Sequence, residues 1–345
     1  MISAGVTAFG RRMIDDTSAF MAENYGCETV YGDTDSVFVQ FPSIVGESDD
    51  DARYRTYDLA IKAEKHVNGP SGIFKAPVFL EYEKTFQPFL LLGKKRYCER
   101  KYEFDMDDFN LSYSGIELKR RDNAQILGKA QREYLNALLI DQDYVAALKT
   151  IEVNVKALLE NRVPIEQLVI SKKLAKQTYA SPQIHVNLNE RIRQRSPALA
   201  YALGDRIPYV VTMDGRKDVC QRGEDPEFVR AHPEIKLDID YYLTKQLKTP
   251  MGRLVTPIVG ELAFEAWWSR TVGGAADAFF ASSLTGTIPR MLTSSQMDAR
   301  REHDIKTKQR KLMAQQERKR KRDPKNPQNV QLPRQSTLLS FFSNP

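Results

Sequence analysis

Apolar residues at the start of the chain fall at Ile2, Val6, Phe9, Met13 and Phe20, in steps of four, three, four and seven. That spacing predicts an α-helix with one apolar stripe, and Gly26 supplies a stop beyond it. The period then changes. Thr29-Val30-Tyr31 and Val37-Phe38-Val39-Gln40-Phe41 are β-rich runs flanking Gly32-Asp33-Thr34-Asp35-Ser36, which predicts a hairpin. Ser48-Asp49-Asp50-Asp51 reads as a solvated loop and a helix start, because carboxylates are favoured at helix N-termini. That helix is expected to run to about His66. Val78 to Tyr82, Pro88 to Leu92 and Arg96 to Phe104 predict three further strands. From Asn123 the pattern is mostly helical, most clearly over Ala124 to Leu139 and Tyr144 to Leu159. Shorter pieces punctuated by prolines follow. After about Thr293 the chain is rich in Lys, Arg and Gln, cannot bury a core, and is expected to be a disordered tail. The expected class is α+β: an antiparallel β part over 1–122, a mostly helical part over 123–292, and a basic tail over 293–345.

With 345 residues, two domains and a tail fit easily. The richest apolar stretch, Leu262 to Phe280, is broken by Glu265, Arg270 and Asp277, so no membrane association is expected. The first residues carry no charged segment followed by an apolar one, which argues against secretion. Cys27, Cys98 and Cys220 lie far apart with no CxxC pair, excluding a disulfide framework or Cys-rich zinc module. The net charge of +6 is unevenly placed: residues 300–325 hold twelve Lys/Arg and four Asp/Glu, leaving 39 basic against 41 acidic residues elsewhere. The body is near neutral, so any nucleic-acid surface on it has to come from local clusters.

The sharpest chemical signal is Asp33-Thr34-Asp35. Two carboxylates at a tight hairpin tip repel unless a cation sits between them. Hard oxygen donors suit Mg²⁺, which proteins hold with one or two carboxylates plus substrate phosphates. Metal-assisted phosphoryl or nucleotidyl transfer follows. An ordinary Asp/Gly/Ser turn fits the same residues. So does D-x-D-x-V, the nucleophile loop of haloacid-dehalogenase-type phosphatases, with Asp33 phosphorylated and Asp35 as acid/base. That fold needs a parallel sheet with crossovers, whereas a hairpin is expected here. Lys94-Lys95-Arg96-Tyr97 is a cationic cluster with an aromatic neighbour, suited to phosphate and groove contacts or simply to a solvated strand edge.

Tyr31 to Ser36 matches YGDTDS, the palm signature of family B DNA polymerases, and the chain resembles that family along its length. Val6 to Arg11 resembles the helix before the signature. Glu83-Lys84 through Lys94-Lys95-Arg96-Tyr97 resembles the KKRY segment with its approach strand. Gly115 to Asn123 is similar to the passage from palm to thumb, and Gly204 to Val210 to a thumb strand. The segments keep family order from residue 1 to about 290. They are most similar to the delta-like branch and to polymerases of large DNA viruses.

The resemblance implies two-metal nucleotidyl transfer with Mg²⁺, Asp35 bridging both metals and Asp33 beside them. Thr34 would sit near the primer terminus. Lys94, Lys95, Arg96 and Tyr97 would track the primer–template duplex, and Lys119, Arg120 and Arg121 would hold the primer strand. Deoxynucleoside triphosphates would be the second substrate. The family's first palm motif with its metal-binding Asp, the fingers helix, the exonuclease motifs and the Cys-rich modules are not found. The chain is therefore expected to be the C-terminal palm and thumb of a polymerase, completed by an N-terminal portion and inactive without it. A non-catalytic accessory chain that binds DNA and a clamp is the remaining alternative.

In the tail, Arg318-Lys319-Arg320-Lys321-Arg322 reads as a nuclear localisation signal or a nonspecific nucleic-acid contact. The expected location is the nucleus or a viral replication compartment. Gln335-Ser336-Thr337-Leu338-Leu339-Ser340-Phe341-Phe342 resembles the peptide that binds PCNA-type sliding clamps. On one helical turn, Leu338, Phe341 and Phe342 share a face and form an apolar plug, with Gln335 free to hydrogen-bond.

Overall fold

The computed structural model describes residues 2–273 apart from Lys119, Gln177, Asp214, Arg216 and Lys217. Residues 274–345, which include the end of the expected helical part and the expected tail with 318–322 and 335–342, lie outside the described residues, as does Lys119.

In chain order the elements are α1 Ile2–Tyr25, β1 Glu28–Asp33, β2 Ser36–Gln40, α2 Asp49–Val67, β3 Thr85–Gly93, β4 Arg96–Tyr102 and β5 Asn110–Ser114. After them come α3 Gln125–Leu139, α4 Tyr144–Leu159, α5 Ile165–Leu168, β6 Ile170–Lys173, α6 Ile184–Arg195, β7 Arg206–Val211, β8 Gly223–Glu224, α7 Pro226–Ala231 and α8 Ile239–Tyr241. A π-helical stretch Tyr242–Lys248 leads into α9 Thr249–Val259 and α10 Glu261–Gly273. The described strands form three antiparallel sheets, β1-β2, β3-β4-β5 and β6-β7-β8, so the class is α+β.

α1 ends as its sequence predicts. Gly26 has φ +64, its N–H bonds Ala22 O at 3.0 Å, and Cys27 N bonds Met21 O at 3.3 Å, which closes the helix C-terminus. Only the C-terminal half of its apolar stripe is covered. Phe20 and Met21 join Cys27, Phe41, Ala63, Val67 and Phe74 in a small core, whereas Val6 and Phe9 are 67% and 60% exposed. α2 starts at Ser48, whose hydroxyl accepts from Asp51 N and donates to Asp51 Oδ2, with three aspartates in the first turn.

Residues 78–82 are not a strand. Helix side chains take the backbone bonds a neighbouring strand would have taken: Asn68 receives Leu80 N and donates to Leu80 O at 2.8 and 2.7 Å, and Glu64 Oε2 accepts from Tyr82 N at 2.8 Å. Local apolar content was a sound reason to expect a strand, but side chains ten or more residues away decide its hydrogen bonding. β5 and the β6 and β8 strands were not expected from the sequence.

The main core is built by α3 and α4 packed on α9 and α10, with Ile126, Leu127, Tyr134, Leu148, Ile151, Met251, Leu254 and Trp267 buried. Trp267 Nε1 donates to Glu152 Oε1 at 3.1 Å, which satisfies the buried indole. Cys98, Leu118 and the partly buried Leu90, Leu92 and Tyr113 extend this core to the β3-β4-β5 sheet. That sheet is thereby fixed to the helical part.

Candidate active site

Asp33 and Ser36 face each other across the β1-β2 ladder, leaving Thr34 and Asp35 as a two-residue turn. Thr34 has φ +60, unusual for a β-branched residue. Local bonds hold it there. Asp35 N and the Ser36 hydroxyl both bond Asp33 O, at 2.7 and 3.1 Å, and the Thr34 hydroxyl donates to Asp33 Oδ1 at 3.2 Å. Asp33 lies at a strand end and Asp35 in the turn itself, so turn geometry rather than strand alternation puts both carboxylates on one tip.

The second hairpin tip meets the first. Gly93 pairs with Arg96, which makes Lys94-Lys95 the turn between β3 and β4. Lys95 has φ +57, its N–H donates to the Tyr31 hydroxyl at 2.8 Å, and its ammonium lies 2.6 Å from Asp33 Oδ1. Aromatic packing welds the two hairpins together: Tyr31, Phe38, Phe89 and Tyr97 have ring centroids 5.3–6.0 Å apart. Edge-on and tilted pairs of this kind contribute beyond the area they bury. Gly115, φ +67, passes so close that a Cβ there would come 2.1 Å from Lys95 O. Of the predicted site residues, the structure thus brings together Asp33, Thr34, Asp35, Lys94, Lys95 and Arg96 at one place. Tyr97 faces inward to the rings of Tyr31, Phe38 and Phe89. The Tyr31 hydroxyl, as anchor of the Lys95 turn, was not legible in the sequence.

The hydrogen bond from Lys95 is the main cause that holds the Asp33 carboxyl below the usual carboxylate range, and Thr34 adds to it. The same contact pushes the Lys95 ammonium above the ordinary lysine range. The donor set fits a hard divalent cation of the Mg²⁺ kind: two carboxylates on one turn, the remaining positions being of the kind that water and phosphate oxygens fill. Among the described residues no group of three His, Cys, Asp or Glu could hold a metal ion, so Asp33 and Asp35 are the pair this part of the chain can offer.

Arg120 and Arg121 diverge. Arg120 clamps Asp122 at 2.8 and 3.1 Å, whereas Arg121 lines a cavity of about 450 Å³ with Lys172, Lys173, Arg206, Tyr179 and His185. Lys173 lies directly opposite Arg206 in the β6-β7 ladder. Like charges in that position repel, and Asp122, the carboxylate of the cavity wall, is already paired with Arg120. His185 is 3% exposed, and neither ring nitrogen has a hydrogen-bond partner among the described residues. Burial, then the nearby Lys172 charge, push its imidazole below the ordinary range. Sequence reading missed this cavity, although Lys172-Lys173 was a visible pair. Its partner Arg206 arrives only through strand register.

The family model for DNA polymerase family B matches residues 1–258. The chain belongs to that family. It is 37% identical over 273 residues to the DNA polymerase delta catalytic subunit of Candida albicans, covering 75% of this chain and 25% of the relative. To the Bos taurus delta catalytic subunit it is 38% identical over 279 residues, covering 77% and 24%. A family B DNA polymerase from the archaeon Pyrobaculum calidifontis shares the fold, with a TM-score of 0.53 at 24% identity over 72% of this chain and 29% of that one. The chain spans about a quarter of the length of the curated relatives it matches. The antiparallel hairpin that carries Asp33 and Asp35 does not offer the parallel strand and crossover that a haloacid-dehalogenase-type site needs.

Proposed function

We propose that this chain supplies the carboxylate turn and the duplex-gripping surface of a DNA-directed DNA polymerase. In this reading residues 1–122 are palm, 123–292 thumb and 293–345 a tail that docks elsewhere. The observation that carries it is the docking of the Asp33-Thr34-Asp35 turn against the Lys94-Lys95 turn, acidic tip to basic tip, over a shared aromatic base. Asp33 and Asp35 would hold Mg²⁺, which supplies charge neutralisation at phosphoryl oxygens and activation of an attacking hydroxyl. A two-metal site takes a further carboxylate from outside the described residues. Thr34, at the exposed tip, lies where a primer end would approach. Lys94 and Arg96 meet backbone phosphates, and Tyr97 fixes their strand against Tyr31. The cavity of Arg121, Lys172, Lys173 and Arg206, beside the β6-β7 ladder, would add a second cationic surface for the duplex. The substrates are primer–template DNA and deoxynucleoside triphosphates.

Binding of a primer–template duplex should weaken steeply from 50 to 200 mM salt, as for a protein that neutralises several phosphates. Lys173→Glu should cost about tenfold in affinity and flatten the salt slope by about one or two units. Fluorescence anisotropy checks both; salt-insensitive binding, or binding unchanged by Lys173→Glu, would overturn the duplex surface.

For the tail, the proposal is nuclear import through Arg318–Arg322 and clamp docking through Gln335, Leu338, Phe341 and Phe342. The delta subunits reported above favour the nuclear location over a viral compartment. Burying a Leu or Phe side chain gives roughly 1.5–3 kcal/mol, less the cost of ordering the tail. Residues 331–345 should therefore bind a PCNA-type clamp with a Kd of roughly micromolar. Calorimetry decides this, and equal affinity for a peptide carrying Phe341→Ala and Phe342→Ala would reject it.

A further inference from the structure

Lys95 is fixed at its backbone, whereas its head is exposed and held by a single ion pair. Its N–H is fixed by the Tyr31 hydroxyl at 2.8 Å and its carbonyl is packed under Gly115. Its side chain is 60% exposed, and among the described residues the ammonium bonds the first hairpin: Asp33 Oδ1 at 2.6 Å and the Thr34 hydroxyl at 3.4 Å. Asp33, by contrast, is 19% exposed, and Oδ1 takes both the Lys95 ammonium and the Thr34 hydroxyl. A divalent cation that uses this oxygen meets a monovalent one already in contact with it. The two cannot share it without strong like-charge repulsion. The flexible four-carbon stem allows the ammonium to leave without disturbing the turn.

We propose that Lys95 is a displaceable counter-ion of the carboxylate turn, holding Asp33 until a divalent cation takes that oxygen and then passing to the phosphate backbone of bound DNA. This rests on the metal reading given above and adds a coupling to it. The cation frees Lys95 for phosphate, so cation binding strengthens DNA binding. Linkage requires the reverse to the same degree.

The 345-residue chain tests this without turnover. Mn²⁺ affinity is read from the electron paramagnetic resonance of the free ion, and duplex affinity from anisotropy with and without Ca²⁺ at constant ionic strength. Lys95→Met keeps the stem and removes the charge. It should bind Mn²⁺ about two- to fivefold more tightly than wild type, the range an exposed ion pair permits. Lys95→Arg should stay within about twofold of wild type, because the guanidinium keeps the pair. Ca²⁺ should raise duplex affinity of the wild type at least about twofold and of Lys95→Met not at all. Lys95→Gln serves in place of Lys95→Met if circular dichroism shows that variant unfolded. Unchanged or weaker Mn²⁺ binding by the neutral variant, or a Ca²⁺ gain that survives in it, would overturn the proposal. A distinct pattern, Mn²⁺ binding insensitive to both Asp33→Asn and Asp35→Asn, would remove the metal reading itself and this coupling with it.

Discussion

Replacing Asp35 by Ala in a polymerase containing this chain should cut primer extension by at least about a thousandfold while duplex affinity changes only a few-fold. A thousandfold loss corresponds to about 4 kcal/mol of transition-state stabilisation, in the range expected when a catalytic metal loses a ligand. Asp35 sits exposed in a two-residue turn, and its backbone N–H, not its side chain, bonds Asp33 O. Truncating it therefore leaves the hairpin ladder intact, and the phosphate contacts proposed for Lys94, Arg96 and the Lys172-Lys173 cavity should remain. Single-nucleotide incorporation, measured alongside anisotropy, separates the two effects. Retained incorporation by Asp35→Ala would contradict the assignment of the carboxylate turn.

Gly115→Ala should be the most damaging single methyl in the site, at roughly 3 kcal/mol of stability. Two costs combine. Position 115 has φ +67, where an alanine is strained, and the new Cβ would lie 2.1 Å from Lys95 O and 2.8 Å from the Arg96 side chain. Arg96 can move, but a backbone carbonyl cannot without shifting the whole Lys94-Lys95 turn. The expected result is a lowered urea midpoint together with displacement of the Lys94-Lys95 turn and of Arg96, so duplex affinity should fall as well. The readout is equilibrium unfolding with a parallel binding titration. A variant as stable as wild type would mean that the two hairpins are not docked as described.

Much of the site was legible because its signals are local. Gly32-Asp33-Thr34-Asp35-Ser36 carries both the turn chemistry and the chemical groups, and its β-rich flanks make a hairpin the simplest reading. The α3 and α4 helices declare themselves by period, and Gly26 by its place after the α1 stripe. What was hidden depends on contacts between distant residues. Residues 78–82 look like a strand until Asn68 and Glu64 take their backbone bonds. Val6 and Phe9 continue the apolar stripe of α1 yet lie exposed among the described residues. Nothing in the sequence links Lys172 and Lys173 to Arg206; the β6-β7 register sets Lys173 opposite Arg206, and both line the cavity that His185 shares. The Tyr31 hydroxyl looked like part of a signature, whereas its structural task is to pin the turn that brings Lys95 to Asp33.

The central claim is that a divalent cation binds where the two hairpin tips meet. Iron-directed cleavage tests it most directly, since Fe²⁺ in a Mg²⁺ site, with ascorbate and peroxide, cuts only the backbone near the ion. Cuts are expected at two places far apart in sequence, residues 32–36 and residues 94–96, both suppressed by excess Mg²⁺ and both lost in Asp33→Asn with Asp35→Asn. Cuts confined to other segments, or cuts at the tips that persist in the double variant, would contradict it.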